Sequence, residues 1–199
     1  MHKGVWKKQL SGVSTNELYG KTVGIVGMGH VGRLVASMLC PFGANLVYTD
    51  VVRRPEIEEK ELGLSYCASF LELLPQVDIL TLHYPMFTEN LEAINANTIA
   101  LMKDGSIIIN TARGKLINPE ALYEALKLGH IKAAALDTHY EEPIKEGYKL
   151  AELDNVILTP HIGGLSFEAF EAMMQEAMSN IEIFERGELQ NIEDKKLLL

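Results

Sequence analysis

The sequence predicts an α/β fold, in which a doubly wound parallel sheet is covered by helices on both faces. Short apolar runs rich in β-branched residues recur along the chain, for example at 22–26 and 106–110. Segments with apolar residues at helical spacing, such as 31–39, separate these runs. Strands without polar alternation are typical of a sheet buried on both sides, and their alternation with helices indicates parallel pairing.

The elements follow in order from local signals. Predicted strands are 22–26, 46–49, 78–82, 106–110, 133–136 and 156–158. Predicted helices are 31–39, 56–62, 69–74, 97–102, 119–128 and 166–186. Asn118 is the expected cap and Pro119 the first residue of the fifth helix, which Gly129 ends, and Gly187 ends the sixth. We therefore expect a lead-in segment at 1–20, a sheet domain at 21–165, and a C-terminal helix and tail at 166–199.

Composition narrows the class of protein. The chain has 199 residues, of which 47% are hydrophobic and 23% charged, as in ordinary globular proteins. A net charge of −9 disfavours nucleic acid as a partner. Cys40 and Cys67 have no metal-ligand spacing, so neither a disulfide framework nor a metal site is predicted. The N-terminus lacks a long apolar run, so we expect no signal peptide, no membrane span and a cytoplasmic location.

A glycine-rich turn follows the first predicted strand and opens the first predicted helix. Its sequence, Gly27-Met28-Gly29-His30-Val31-Gly32, is G-x-G-x-x-G. In that context the glycines allow a tight turn, close approach of a pyrophosphate, and close helix–strand packing, with the amides near Gly29–Val31 facing the phosphates.

Asp50 ends the next predicted strand, about 20 residues further on, where a carboxylate accepts ribose hydroxyls. The motif and Asp50 together predict a Rossmann-type site for NAD, because a 2′-phosphate would face a negative charge. Arg53 and Arg54 are either solvated surface charges or contacts to the adenosine end of the cofactor.

Charged side chains follow three later strands. Arg113 follows 106–110, Asp137 follows 133–136 and precedes Glu141-Glu142-Pro143, and His161 follows 156–158. Hydride transfer at a 2-hydroxy or 2-oxo acid needs a cation for the carboxylate and an acid/base near neutral pH, which suits Arg and His. A carboxylate partner would fix the histidine tautomer. Ligands bind beyond the carboxyl ends of such strands, so these side chains are candidates for one site.

These segments together resemble the D-isomer-specific 2-hydroxyacid dehydrogenase family. The matching stretches lie at 20–29, 82–85, 110–114, 135–143 and 159–164, in order and with family-like spacings from about Trp6 to Glu188. The resemblance is nearest to phosphoglycerate dehydrogenases and glyoxylate/hydroxypyruvate reductases, and it leaves the individual acid open.

The resemblance implies roles for single residues. Arg113 resembles the substrate-binding arginine, His161 the acid/base, and Glu142 the carboxylate paired with that histidine. Asp137 resembles the residue that holds the nicotinamide carboxamide. The other positions that resemble cofactor contacts are Gly27, Gly29, His30, Val31, Gly32, Asp50, Tyr84, Pro85, Thr111, Ala112, Gly163 and Gly164.

The resemblance also implies what this sequence lacks. Family members have a second, substrate-binding domain built mainly from residues before the dinucleotide domain, and we expect this sequence to contain almost none of it. We expect cofactor binding by this chain, with limited turnover by the chain alone. A homodimer, with the lead-in around Trp6 contributing, is implied. The alternatives are an NAD-sensing binding protein of the corepressor type and a catalytically incompetent fragment. A formate-dehydrogenase-like function is less favoured, since that branch typically pairs its histidine with an amide.

Overall fold

The computed structural model describes residues 16–188. The chain divides into two compact units, Met1–Leu158 and Thr159–Leu199. Most of the predicted lead-in at 1–20, including Trp6, and the tail beyond residue 188 lie outside the described residues. The predicted domain boundary between 165 and 166 stays a prediction.

The first unit is built on a seven-stranded parallel sheet in the order β3-β2-β1-β4-β5-β6-β7. The strands are β1 (Thr22–Val26), β2 (Asn45–Thr49), β3 (Leu64–Tyr66), β4 (Ile79–Leu82), β5 (Ser106–Asn110), β6 (Ile131–Leu136) and β7 (Val156–Leu158). The doubly wound parallel fold predicted from the sequence is confirmed. Strand β3 was not predicted, because its three residues include a single buried side chain, Leu64.

Helices connect the strands. In the first unit they are α1 (His30–Leu39), α2 (Glu56–Leu62), α3 (Phe70–Leu73), α4 (Ala96–Ile99) and α5 (Pro119–Leu128). The Asn118 side chain accepts a hydrogen bond from the amide of Ala121, and Gly129 ends α5 with a left-handed φ of 81°. The predicted cap and stop of this helix are therefore confirmed.

The core forms two clusters of buried apolar side chains. One contains Leu80, Leu82 and Ile108 of the central strands, packed with Leu122 and Leu126 of α5. The other contains Val23, Ile25, Leu46, Tyr48, Met28, Ala36 and Leu64. Because Leu80, Leu82 and Ile108 are buried in this core, the packing fixes β4 and β5 side by side, with their carboxyl ends at one edge of the sheet.

The second unit, as far as residue 188, contains one long helix, α6 (Phe167–Glu185). The Ser166 hydroxyl caps its first turn by accepting a hydrogen bond from the amide of Ala169, at 3.0 Å. Gly187 follows its end with a φ of 73°. The predicted start and end of this helix are confirmed to within one residue.

Candidate functional site

The carboxyl ends of four neighbouring strands meet at one edge of the sheet. The register places Val26 beside Leu82, Leu82 beside Asn110, and Asn110 beside Leu136. The loops that follow these residues are therefore neighbours. Strand β1 lies between β2 and β4. The connection after β1 leads to β2 and the connection after β4 leads to β5, in the opposite direction, and a crevice opens outside such a switch point.

The glycine loop after β1 is packed too tightly for side chains at two of its glycines. Gly27 has a φ of 92°, and a Cβ there would lie 2.6 Å from the carbonyl oxygen of His83. A Cβ on Gly32 would lie 2.1 Å from the carbonyl oxygen of Gly27. Both positions therefore require glycine for the loop to close against β4 and α1.

Gly29 differs from these two glycines. It is exposed, and a Cβ built on it would meet no atom within 4 Å. Helix α1 begins directly after it, and His30 and Val31 lie exposed in the first turn. Space above a helix N-terminus with free backbone amides suits a phosphate group. Gly29, His30 and Val31 thus fit the predicted pyrophosphate position.

An open cleft of about 570 Å³ lies beside this loop. Its lining combines the glycine loop, the end of β2, the start of α3 and the segment after β4. The residues are Val26, Gly27, Gly29, Thr49, Asp50, Val51, Ala68, Ser69, Phe70, His83, Tyr84, Pro85, Phe87 and Asn90. The cleft thus brings together the predicted cofactor contacts Gly27, Gly29, Asp50, Tyr84 and Pro85.

Both oxygens of the Asp50 carboxylate accept backbone hydrogen bonds. The amide of Met28 donates to Oδ2, and the amide of Val52 donates to Oδ1 at 3.2 Å. A carboxylate oxygen can accept more than one hydrogen bond, so both retain capacity for ribose hydroxyls. Asp50 therefore fixes the glycine loop and faces the cleft as well.

The two arginines after Asp50 form ion pairs on α2. Arg53 makes a bidentate contact with Glu59, with both N–O distances at 2.9 Å, and Arg54 pairs with Glu58 at 3.1 Å. The guanidinium of Arg53 and the hydroxyl of Tyr48 hold the pKa of Glu59 down at about 2. Both arginines therefore hold the loop after β2 onto α2, a role that the sequence alone did not suggest.

Two aromatic side chains of the cleft remain uncharged near neutral pH. Burial lowers the pKa of His83 and raises the pKa of Tyr84 to about 12. The Nε2 atom of His83 lies 2.9 Å from the Thr81 hydroxyl oxygen. Neither ring adds a charge to the cleft, so the carboxylate of Asp50 is the main charge that a cofactor would meet there.

The turn after β5 is held by a buried asparagine. Asn110 Nδ2 donates to the carbonyl oxygen of Arg113 at 2.9 Å, and Asn110 Oδ1 accepts from the amide of Ala112 at 3.0 Å. Ala112 is buried, whereas Thr111 and Arg113 are exposed. Arg113 Nη1 donates to the carbonyl oxygen of Ala112, and its guanidinium forms no ion pair among residues 16–188. The sequence-based prediction missed Asn110, although a polar residue at the end of an Ile-rich strand was a signal for it.

The segment after β6 packs directly onto this turn. A Cβ on Gly114 would lie 1.9 Å from the carbonyl oxygen of His139. Asp137 is buried at the end of β6, and its amide donates to the carbonyl oxygen of Asn110 at 3.0 Å. Glu142 is exposed, and its Oε1 accepts from the amide of His139 at 2.8 Å. Arg113, Asp137 and Glu142 are thus carried by packed, hydrogen-bonded backbone.

The remaining predicted site residues lie in the second unit. The amide of His161 donates to the carbonyl oxygen of Thr159 at 3.0 Å, and Gly163 and Gly164 follow before α6. His161 has a φ of 55°, a backbone angle that residues other than glycine rarely adopt. Such strain is concentrated at functional positions, so it supports a special role for this histidine.

Neither a metal centre nor a membrane-spanning helix is found in residues 16–188. These residues contain no group of three or more His, Cys, Asp or Glu side chains arranged to hold a metal ion. Among the same residues, no helix combines the length and apolar character needed to cross a bilayer.

Comparisons with known proteins agree with this geometry. Residues 1–163 match the family model described as D-isomer specific 2-hydroxyacid dehydrogenase, NAD binding domain. A glyoxylate reductase of Pyrococcus furiosus is 40% identical, over 95% of this chain and 57% of its own length. A D-3-phosphoglycerate dehydrogenase of Methanocaldococcus jannaschii is 42% identical, over 95% of this chain and 35% of its own. The chain therefore spans about half the length, or less, of these relatives.

Solved structures of dehydrogenases also match most of this chain and between a half and two thirds of their own length. The D-lactate dehydrogenase of Aquifex aeolicus, solved with NAD and lactic acid, matches 92% of this chain and 59% of its own, with a TM-score of 0.83 and 34% identity. The D-mandelate dehydrogenase of Rhodotorula graminis matches 86% of this chain and 50% of its own, with a TM-score of 0.82 and 36% identity. The glycine loop, Asp50 and the cleft that they line agree with these matches. The chain therefore belongs to the D-isomer-specific 2-hydroxyacid dehydrogenase family and corresponds to its NAD-binding domain.

Proposed function

We propose that this chain is the cofactor-binding half of an enzyme that transfers a hydride between NAD(H) and a D-2-hydroxy acid or 2-oxo acid. The observation that carries the proposal is the position of Arg113. Its exposed guanidinium, without an ion pair among residues 16–188, lies at the sheet edge that forms the dinucleotide cleft. A cation beside a hydride carrier is what binding of an anionic oxo acid requires. The relatives named above are dehydrogenases or reductases, and no finding favours the NAD-sensing alternative.

The proposed roles follow from the chemistry of each side chain. Arg113 binds the substrate carboxylate and polarises its carbonyl oxygen. Asp137 holds the carboxamide of the nicotinamide, and the further cofactor contacts proposed from the family resemblance are Thr111, Ala112, Gly163 and Gly164. When bound, the nicotinamide supplies or accepts the hydride at the substrate carbon.

His161 is the proposed acid/base. In the direction of reduction its protonated ring gives a proton to the carbonyl oxygen, and in oxidation the neutral ring takes it back. Glu142 is the proposed partner of the second ring nitrogen, which would favour the protonated form and fix the tautomer. The positive φ of His161 supports this assignment, since strain is tolerated where function requires it.

The finer points are also proposals. We infer a homodimer from the family resemblance. We propose a cytoplasmic location because Cys40 and Cys67 indicate no disulfide framework. Small 2-oxo acids are the proposed substrates. Glyoxylate is proposed because the relatives include glyoxylate reductases, and hydroxypyruvate because the sequence resembles glyoxylate/hydroxypyruvate reductases. Residues 21–165 are the proposed extent of the dinucleotide-binding domain.

The test combines binding with turnover. Calorimetric titration of the chain with NADH and NADPH should show clear NADH binding and much weaker NADPH binding. NADH oxidation is then followed with glyoxylate and with hydroxypyruvate. In a chain that turns over, His161→Asn should lower kcat by about a hundredfold to ten-thousandfold.

The matched control for that variant is His130→Asn. The ring of His130 lies 3.4 Å from Asp104 and 2.9 Å from the carbonyl oxygen of Ile99, and His130 is absent from the cleft lining. Full activity of His161→Asn would contradict the acid/base assignment. A chain that binds NADH but turns over neither acid would restrict the proposal to cofactor binding.

A further inference from the structure

Glu92 lies in the loop between β4 and α4 and contacts two other loops. Its Oε2 accepts a hydrogen bond from Asn118 Nδ2 at 2.8 Å. Its Oε1 accepts one from the Tyr140 hydroxyl, also at 2.8 Å. One carboxylate therefore connects positions that are 26 and 48 residues away in the chain.

Each residue that Glu92 contacts lies in the same segment as a proposed site residue. Asn118 follows the tight turn at 114–116, which begins directly after Arg113. The amide of Glu92 also donates to the carbonyl oxygen of Lys115 at 2.9 Å, a second link to that turn. Tyr140 lies two residues before Glu142. Glu92 thus joins the segment after Arg113 to the segment that carries Glu142.

The backbone of Glu92 supports a special role. Its φ of 51° lies in the left-handed region, which costs free energy for a residue with a Cβ. A glycine would adopt this conformation without strain, so a Glu here carries a cost that its side chain must offset. The two side-chain hydrogen bonds are the visible compensation. They also lower the pKa of Glu92, so the carboxylate is charged at neutral pH.

We propose that Glu92 is a positioning residue that locks the Arg113 turn and the Glu142 loop together through Asn118 and Tyr140. The inference rests on the proposed function, since Arg113 and Glu142 act in the reaction only if that proposal holds. Glu92 itself touches no reacting atom; it acts by restricting the loop in which Glu142 accepts the hydrogen bond of the His139 amide.

The first test measures how firmly the loop is held. The His139 amide is hydrogen-bonded to Glu142, so its hydrogen exchange reports opening of this loop. Tyr140→Phe removes the hydroxyl that reaches Glu92 and keeps the ring, and Glu92→Gly removes the carboxylate while relieving the positive φ. Each should speed exchange at His139 by about tenfold, the factor expected for losing one hydrogen bond to a charged group. Glu92→Gln, which can bond both partners, should restore much of the protection.

Lys145→Gln is the matched control in the same loop. It removes the exposed ion pair between Lys145 and Glu141, at 2.6 Å, and leaves Glu92 and Tyr140 intact. Exchange at His139 should then stay as in the unaltered chain, and exchange at Ile108 in the core should not change in any variant. Unchanged exchange at His139 in both Tyr140→Phe and Glu92→Gly would overturn the proposal. An equal rise at His139 and Ile108 would overturn it too, because it would indicate only global destabilisation.

The second test connects the lock to the reaction. In Glu92→Gly, kcat for glyoxylate should fall at least about tenfold while the Kd for NADH stays the same, because the cleft lining does not include Glu92. A matching loss of NADH affinity would contradict a role confined to these two loops. If the unaltered chain binds NADH without turnover, the proposed activity fails for this chain. The exchange experiment still decides whether Glu92 locks the loops.

Discussion

The backbone amide of Met28 donates a hydrogen bond to Oδ2 of Asp50, across 22 residues of chain. Asp50 thus holds the glycine loop by a hydrogen bond and also lines the cleft. A residue predicted to meet the cofactor ribose also sets the shape of the loop that meets the phosphates. Its substitution should therefore affect both ends of the cofactor site.

Asp50→Ala should weaken NADH binding by about 10- to 150-fold, the effect of losing about 1.5–3 kcal/mol of hydrogen bonding to a charged group. The preference for NADH over NADPH should narrow as well, because the charge that opposes a 2′-phosphate is gone. Calorimetric titration with both cofactors measures this. Glu56→Ala is a matched control, since its exposed carboxylate pairs with Lys60 at 3.8 Å and with no other cation among residues 16–188. An unchanged Kd for NADH in Asp50→Ala would disprove the role of Asp50.

Adding a methyl group should lower the stability of the fold at Gly32 and weaken cofactor binding at Gly29. Gly32→Ala should destabilise the fold by roughly 1–3 kcal/mol, because its Cβ would lie 2.1 Å from the Gly27 carbonyl oxygen. Gly29→Ala should change stability by less than about 0.5 kcal/mol, since nothing lies within 4 Å of that Cβ. It should nevertheless weaken NADH binding at least about tenfold by occupying the space predicted for the pyrophosphate. Urea unfolding and calorimetry separate the effects; normal NADH affinity of Gly29→Ala would refute the assignment.

The ion pair between Arg53 and Glu59 should give the fold an acid-sensitive component. The pKa of Glu59 in the folded chain is lowered from 4.5 to about 2, first by the hydrogen bond from Arg53 and then by that from Tyr48. The stabilisation is therefore complete above a pH of about 4.5 and is lost as the pH falls towards 2. The difference in unfolding free energy between the unaltered chain and Glu59→Gln should shrink over that range.

Urea unfolding at pH 7, 4 and 3 measures this difference. Glu61→Gln on the same helix is the control, because Glu61 is exposed and forms no ion pair among the described residues. A difference for Glu59→Gln that stays constant from pH 7 to pH 3 would contradict the prediction.

Two buried polar residues of β5 should differ in what they contribute. Asn110→Leu should destabilise the chain by about 2–4 kcal/mol, because the Ala112 amide and the Arg113 carbonyl oxygen lose their partner. Ser106→Ala at the other end of β5 should cost far less, since the Ser106 hydroxyl has no hydrogen-bond partner in the described structure. Thermal or urea unfolding compares them. Equal losses would mean that the Asn110 hydrogen bonds add little.

Much of this fold could be predicted because its signals are local. Strands β1, β5 and β7 have the predicted bounds, since apolar β-branched runs bounded by turn residues are readable within five residues. The cap at Asn118 and the stop at Gly129 are equally local. Strand β3 could not be predicted, since it depends on pairing with β2 and buries only Leu64.

The site residues could likewise be predicted where the signal is local, whereas their contacts could not. The glycine motif, Asp50, Arg113, Glu142 and His161 could be picked out from spacing and from the family resemblance, because each follows a strand whose end is visible in the sequence. The tertiary structure alone decided the partners: Asp50 with the Met28 amide, Arg53 with Glu59, Asn110 with the Arg113 carbonyl oxygen, and Glu92 with Tyr140. Two of these pairs, Asp50 with the Met28 amide and Glu92 with Tyr140, join residues from different loops. Their distances are set by the stacking of parallel strands and by packing of the loops at one sheet edge, which no local pattern of residues encodes.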